Sequence, residues 1–176
     1  GEGYDNVMPG NGPVALRVMT FNIHHGEGKD KKQDLSRIAE LIREADPDIV
    51  GLQEVDNLQP RSQFVNQAKW LAEELGMYGV YGPNLVIGMS QYGNAILSKY
   101  PIMAFENNPL PSGWEPRGCL RAEIDVGGRR IIFLSTHFGL SENERLEQAD
   151  TVLALIKESH FPTVLVGDLN NVPESA

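Results

Sequence analysis

Asp168 and Asn170 stand two residues apart, directly after a short apolar run, Val164 to Val166, and Gly167. The run reads as a buried strand. Along an extended segment, residues i and i+2 lie on the same side, so a carboxylate and a carboxamide project together from the strand's C-terminal end. Such a pair can orient a water molecule and hold the oxygen that it attacks. Three other stretches are also apolar runs ending in polar groups: Val18 to Asn22, Ile49 to Glu54 and Ile131 to His137. The four strand ends are expected to meet at one site. Its oxygen donors, Glu54, Asn22, Asp168 and Asn170, suit Mg²⁺, Mn²⁺ or Ca²⁺ better than zinc. A metal there polarises a phosphoryl oxygen and offsets charge on a leaving group. Asp168 can orient or deprotonate the attacking water, and His137 can donate to an oxygen or move a proton.

The elements that must position these groups can be read in order. Gly1 to Pro13 is a lead-in rich in Gly, Pro and Asn, so residues 1–14 are set apart from a domain spanning residues 15–176. Ala15 to Ile23 reads as a strand ending at Asn22, and His24-His25-Gly26-Glu27-Gly28 as a loop. The two histidines either simply face solvent in a glycine loop or form part of the site. Asp34 is an expected N-cap for a helix carrying Leu35, Ile38, Leu41 and Ile42, which stops before Pro47. Asp48 to Gln53 is a strand with Gln53-Glu54 at its end, and Leu58 to Ser62 is a loop. A second helix places Phe64, Ala68, Leu71 and Leu75 on one face and ends at Gly76, with Trp70 as packing.

Tyr78 to Met89 reads as short strands and turns. Gly93 to Ser98 is a strand with Pro101 to Phe105 as its hairpin partner. Asn107 to Gly118, with three prolines and Trp114, is an irregular loop bordering a cleft. Cys119 to Val126 and Arg129 to Thr136 form a hairpin about Gly127-Gly128. Ser141 and Glu144 make a capping box for a helix that turns Leu146, Ala149, Leu153 and Ile156 inward. Hairpins mixed with helix crossovers predict a layered α/β protein with mixed sheets.

Composition narrows the classes. The chain has 176 residues, enough for one domain with a real core. A net charge of −9 argues against retention on nucleic acid by charge alone, though a bound metal can supply positive charge to a nuclease. The single cysteine, Cys119, excludes an intrachain disulfide and a cysteine-based zinc site. No apolar stretch reaches membrane-spanning length, and no signal-peptide pattern is present.

Taken together, Thr20-Phe21-Asn22-Ile23, Asp48 to Val55, Gly93 to Ser98, Ser135-Thr136-His137 and Gly167-Asp168-Leu169-Asn170 resemble the endonuclease/exonuclease/phosphatase superfamily. That superfamily includes DNase I-like nucleases, abasic-site endonucleases, neutral sphingomyelinases and inositol-polyphosphate phosphatases. The His24-His25-Gly26 continuation resembles a bacterial, often exported, branch, so export is weighed against a cytoplasmic location. The resemblance implies a DNase I-like four-layer α/β sandwich: two mixed sheets face to face with helices outside. It also implies phosphoester hydrolysis by direct attack of water, dependent on Mg²⁺, Mn²⁺ or possibly Ca²⁺. By the resemblance, Glu54 is the main metal ligand, assisted by Asn22; Asp168 aligns or activates water; and Asn170 supports the transition state. His137 contacts the scissile phosphate, Asn94 lines the cleft, and Arg117 touches phosphate; Arg61 and the histidine pair stand further from the pattern.

One element of the pattern is missing. Family members carry a later Ser-Asp-His-type segment, and none occurs before Ala176. The expectation is a domain truncated before its last strands, with an exposed sheet edge that invites self-association. Two readings follow. One is a metal-dependent phosphodiesterase, nuclease or phosphatase; the other is a non-catalytic phosphate- or metal-binding module on the same scaffold. The substrate is a small phosphoester, a lipid headgroup or nucleic acid. The lack of a basic patch interleaved with aromatics leans toward the first two.

Overall fold

The computed structural model describes residues 15–170. Its strands are β1 (Val18–Asn22), β2 (Ile49–Asn57), β3 (Tyr78–Ile87), β4 (Ser90–Ser98), β5 (Ile102–Leu110), β6 (Arg117–Val126), β7 (Arg129–His137) and β8 (Thr163–Asp168). Its α-helices are α1 (Leu35–Ala45), α2 (Gln67–Leu75) and α3 (Glu142–Glu158). Short 3₁₀ turns lie at His24–Gly26 and Pro60–Ser62.

The strands form two four-stranded sheets, ordered β1-β2-β4-β3 and β5-β6-β7-β8. β1 runs parallel to β2 and β7 parallel to β8, while the other pairings are antiparallel. Ile49 and Ile96 of the first sheet pack with Leu120, Ala122, Ile124, Ile131 and Phe133 of the second. Helices α1 and α2 cover the outer face of the first sheet through Ile38, Ile42, Ala68 and Leu71. Helix α3 covers the outer face of the second through Val152, packed with Leu134 and Phe138. This is the expected four-layer sandwich with mixed sheets. The two sheets approach closely beside the site: a Cβ on Gly51 would fall 2.5 Å from Val166 Cγ2 and 2.9 Å from Ser135 Oγ.

The capping chemistry follows the sequence. Asp34 accepts from Arg37 N at 3.2 Å, and Asp46 ends α1 in a left-handed conformation before Pro47. Gly76 ends α2 in the left-handed region. The hairpin at Gly127-Gly128 joins β6 and β7 as expected, and Trp70 packs against the core under α2. Ser141 accepts from Glu144 N, but the Glu144 carboxylate accepts from Gly113 N at 3.0 Å, tying α3 to the loop before β6.

Several elements differ from the sequence reading. β1 starts at Val18 rather than Ala15. Tyr78 to Ile87 is one continuous strand, because a bulge between Pro83 and Leu85 absorbs the proline. β5 does not pair with β4. The link Lys99-Tyr100-Pro101 crosses between sheets, with Lys99 N bonded to Asp48 O on one side and Asp125 N to Pro101 O on the other. A three-residue link is also hairpin length, so spacing could not separate the two outcomes. β5 extends to Leu110 and β6 begins at Arg117, leaving a loop only at residues 111–116; Pro109 is tolerated because β5 is an edge strand.

Four apolar side chains expected inside lie outside: Phe64, which precedes α2 with a positive φ, and Leu41, Leu146 and Leu153. On α3 the buried positions are Gln148 and Val152. Gln148 accepts from Gly139 N at 2.8 Å and donates to Pro111 O at 2.9 Å, so a satisfied polar residue fixes which face turns inward. The run Val164 to Val166 is half-buried with Leu165 exposed, because β8 lies at a sheet edge.

Candidate active site

Two parallel strand pairs end at the same place. In the first sheet, Asn22 of β1 is in register with Gln53 of β2; in the second, His137 of β7 is in register with Asp168 of β8. Asn22 Nδ2 donates to Asp168 Oδ2 at 3.2 Å across the two sheets. His137 Nε2 lies 3.7 Å from the same oxygen.

Glu54 reaches the site by a device that the sequence reading missed. β2 does not end at Gln53; it continues to Asn57. Between Leu52 and Val55 the register with β4 slips by one residue, and Glu54 takes φ +55°. Such a bulge bends the strand and re-aims a side chain without ending the pairing. Glu54 Oε1 accepts from the Tyr92 hydroxyl at 2.8 Å and lies 3.6 Å from His24 Nδ1. Burial and the adjacent Glu54 carboxylate push the Tyr92 hydroxyl up, so it remains a donor. Tyr92 was not singled out in the sequence; its position two residues before Asn94 on the same strand was the available signal.

Asp168 and Asn170 are brought together by a turn rather than by alternation. β8 ends at Asp168, and Asn170 has φ +48°. Asp168 Oδ1 accepts from Asn170 N at 2.9 Å, while the Asn170 side chain donates to Phe138 O. Thr20, Asn22, Gln53, Asp168 and Asn170 line one open depression. Partial burial pushes the Asp168 carboxyl up, but the Asn170 N–H, the Asn22 amide, His137 and Arg117 together outweigh it and hold the group below its ordinary value.

A narrow cleft adjoins it, lined by Glu54, Tyr92, Asn94, Glu115, Arg117 and His137. Asn94 is buried and donates to Gly118 O at 3.2 Å, linking β4 to β6. Arg117 is buried; its Nη2 pairs with Glu115 Oε2 at 2.7 Å, and its Nε has no hydrogen-bond partner among the described residues. Burial, reinforced by Arg117, lowers the His137 pKa below 6.5 against the opposing pull of Glu54, Asp168 and Glu115. His137 is therefore neutral at pH 7.

Arg61 stands at the perimeter. It makes a bidentate pair with buried Asp56, at 2.8 and 2.7 Å, and its guanidinium lies 5.1 Å from the Tyr92 ring centroid. Ser62 also donates to Asp56. The group that this braces is Tyr92, and through it Glu54.

The donor set fits a hard divalent cation. Among the described residues Glu54 Oε2 accepts no hydrogen bond and Asn22 Oδ1 accepts only from His24 N, at 3.1 Å. Both keep lone pairs that could serve a cation.

Comparison with known proteins gives a consistent picture. The Endonuclease/Exonuclease/phosphatase family matches residues 19–176. The protein YbhP of Escherichia coli K12 is 30% identical over 179 residues, covering 92% of this chain and 69% of YbhP. Protein cwh43 of Schizosaccharomyces pombe is 31% identical over 153 residues, covering 84% of this chain and 15% of that protein. Among solved structures, an endonuclease/exonuclease/phosphatase from Beutenbergia cavernae superposes with a TM-score of 0.77 at 30% identity; the match covers 90% of this chain and 49% of that one. A Bacteroides vulgatus structure of the same description superposes with a TM-score of 0.73 at 24% identity, over 91% of this chain and 67% of that one. The chain thus spans about half the length of the Beutenbergia protein and about two thirds of YbhP and the Bacteroides protein.

Proposed function

Because the chain belongs to the endonuclease/exonuclease/phosphatase family, we propose that its strand-end cluster is the centre of a divalent-metal-dependent phosphoester hydrolase. The observation that carries this reading is the meeting of Asn22, Glu54, His137 and Asp168 from the ends of β1 and β7, the bulge of β2 and the end of β8.

Glu54 and Asn22 would hold Mg²⁺ or Mn²⁺. When bound, the metal supplies Lewis-acid polarisation of a phosphoryl oxygen and offsets charge on the leaving oxygen. Asp168, ionised at neutral pH, orients the attacking water and accepts its proton; Asn22 and the Asn170 N–H hold the carboxylate in place. Neutral His137 acts as a hydrogen-bonding group toward a phosphoryl oxygen, not as a fixed cation. Arg117 lines the same cleft as His137, and its guanidinium supplies a positive charge for phosphate. Asn94 supports the wall. Asn170 holds the turn in this arrangement, and a role on the transition state requires its amide to leave Phe138 O.

The substrate class that we favour is a small phosphoester or a lipid headgroup. A net charge of −9 disfavours retention on polynucleotide by charge alone. The test is release of product from a panel of phosphomonoesters, phosphodiesters and oligonucleotides with Mg²⁺ or Mn²⁺, comparing the native protein with Glu54→Gln. Metal-dependent turnover that the substitution abolishes supports the reading. Turnover that is insensitive to Glu54→Gln contradicts it.

A further inference from the structure

The turn after β1 carries a second group of potential ligands. His24, His25 and Glu27 each offer one donor atom within 4.8 Å of the others. Their closeness depends on an uncommon backbone: His24, His25 and Gly26 have φ of +47°, +44° and +81° in succession. Non-glycine residues in that region cost of order 1–3 kcal/mol each unless their surroundings hold them. Here the surroundings do. Asn22 Oδ1 accepts from His24 N, Gln67 Nε2 donates to His25 O at 2.8 Å, and Glu27 N returns to His24 O at 2.9 Å. Asp34 N closes the turn onto Gly26 O. His25 is buried, with Nε2 3.1 Å from Glu27 Oε2, and the two imidazole rings lie 4.6 Å apart, tilted by 36°.

We propose that His24, His25 and Glu27 bind a borderline divalent cation of the Zn²⁺ class, at a site separate from the Glu54 oxygen site. Two imidazole nitrogens and one carboxylate oxygen are the donors that such ions select, whereas Mg²⁺ and Ca²⁺ take all-oxygen sets. Three ligands leave an open coordination position. Hydrogen bonds already hold the turn in this shape, so binding would cost little further ordering of the chain. The two sites adjoin, because His24 Nδ1 lies 3.6 Å from Glu54 Oε1. An ion on the histidines therefore places fixed positive charge beside the Glu54 carboxylate. This inference does not depend on the hydrolase reading, since it concerns ion selectivity and not turnover.

The test is calorimetric titration of the metal-free protein with Zn²⁺ in excess Mg²⁺, alongside Glu27→Gln, His24→Asn and Glu54→Gln. Asparagine is chosen at position 24 because it tolerates the left-handed backbone while removing the imidazole. The native protein and Glu54→Gln should each bind one Zn²⁺ that excess Mg²⁺ does not displace. Glu27→Gln and His24→Asn should each lose at least about 100-fold in Zn²⁺ affinity, the upper end of what removing a supporting group alone costs. Circular dichroism confirms that each variant is folded. The proposal is overturned if the native protein takes up no Zn²⁺, if Mg²⁺ displaces it, if folded His24→Asn binds as tightly as the native protein, or if Glu54→Gln alone abolishes binding.

Discussion

The Tyr92 hydroxyl donates to Glu54 Oε1 at 2.8 Å, from β4 across to the bulge that turns Glu54 out of β2. The hydrogen bond fixes one carboxylate oxygen and leaves the other for a cation. Tyr92→Phe keeps the ring over which Arg61 sits and removes only the donor. Mg²⁺ affinity is expected to fall about 10- to 100-fold, as for other groups that orient a metal ligand. Titration of Mg²⁺ into both proteins checks this, and unchanged affinity would show that the bulge alone orients Glu54.

His137 gives stability a pH dependence of defined sign. Its folded pKa lies below the unfolded value of 6.5, chiefly through burial. Above 6.5 both states are neutral at this position and it contributes nothing. As pH falls below 6.5 the unfolded chain takes up a proton that the folded one resists, so stability is lost until the folded pKa is passed. Thermal melts of native protein and His137→Gln across this window should converge toward acid, with the native protein losing more. Parallel curves would contradict the assignment.

The sequence carried the site's residue types but not the geometry that assembles them. Asn22, His137 and Asp168 lie at strand ends, as alternation and apolar runs indicate, because a strand buried on one or both faces writes its burial into the chain. Glu54 does not; its place depends on a one-residue bulge with no local signature, and Asn170 depends on a left-handed turn. The crossing at Lys99 to Pro101 was illegible for a related reason, since pairing partners are chosen by tertiary packing and not by link length. Tyr92 and the Asp56–Arg61 pair were hidden because each looks like an ordinary strand or loop residue until its partner is known.

Gln148 is the clearest case of a polar residue that periodicity misplaces. Gln148→Leu would look like an improvement of the apolar face of α3. It would instead leave the buried Gly139 N–H and the Pro111 carbonyl without their partner. A loss of about 1–3 kcal/mol per buried group is expected. Urea denaturation measures it, and a gain in stability would contradict the role given to Gln148.

Gly51 sets how closely the two sheets approach beside the site. An alanine methyl would sit 2.5 Å from Val166 Cγ2 and 2.9 Å from Ser135 Oγ. Gly51→Ala should destabilise the fold by about 1–3 kcal/mol, as overpacking does. Because β8 carries Asp168, it should also lengthen the contact between Asn22 and Asp168 and reduce activity. Denaturation midpoints and turnover, measured together, test both consequences.

The proposed role of Glu54, with Asn22 and Asp168, is as a metal-dependent phosphoester-hydrolysing centre. Hydrolysis of bis-p-nitrophenyl phosphate, with and without Mg²⁺ or Mn²⁺, is the decisive assay. It should be measured on the 176-residue chain and on the same chain continued through a Ser-Asp-His-bearing segment, each with and without Glu54→Gln. Metal-dependent turnover is expected in at least the continued form, abolished by Glu54→Gln. Silence of both forms toward diester, monoester and nucleic-acid substrates alike, or turnover untouched by Glu54→Gln, would contradict it.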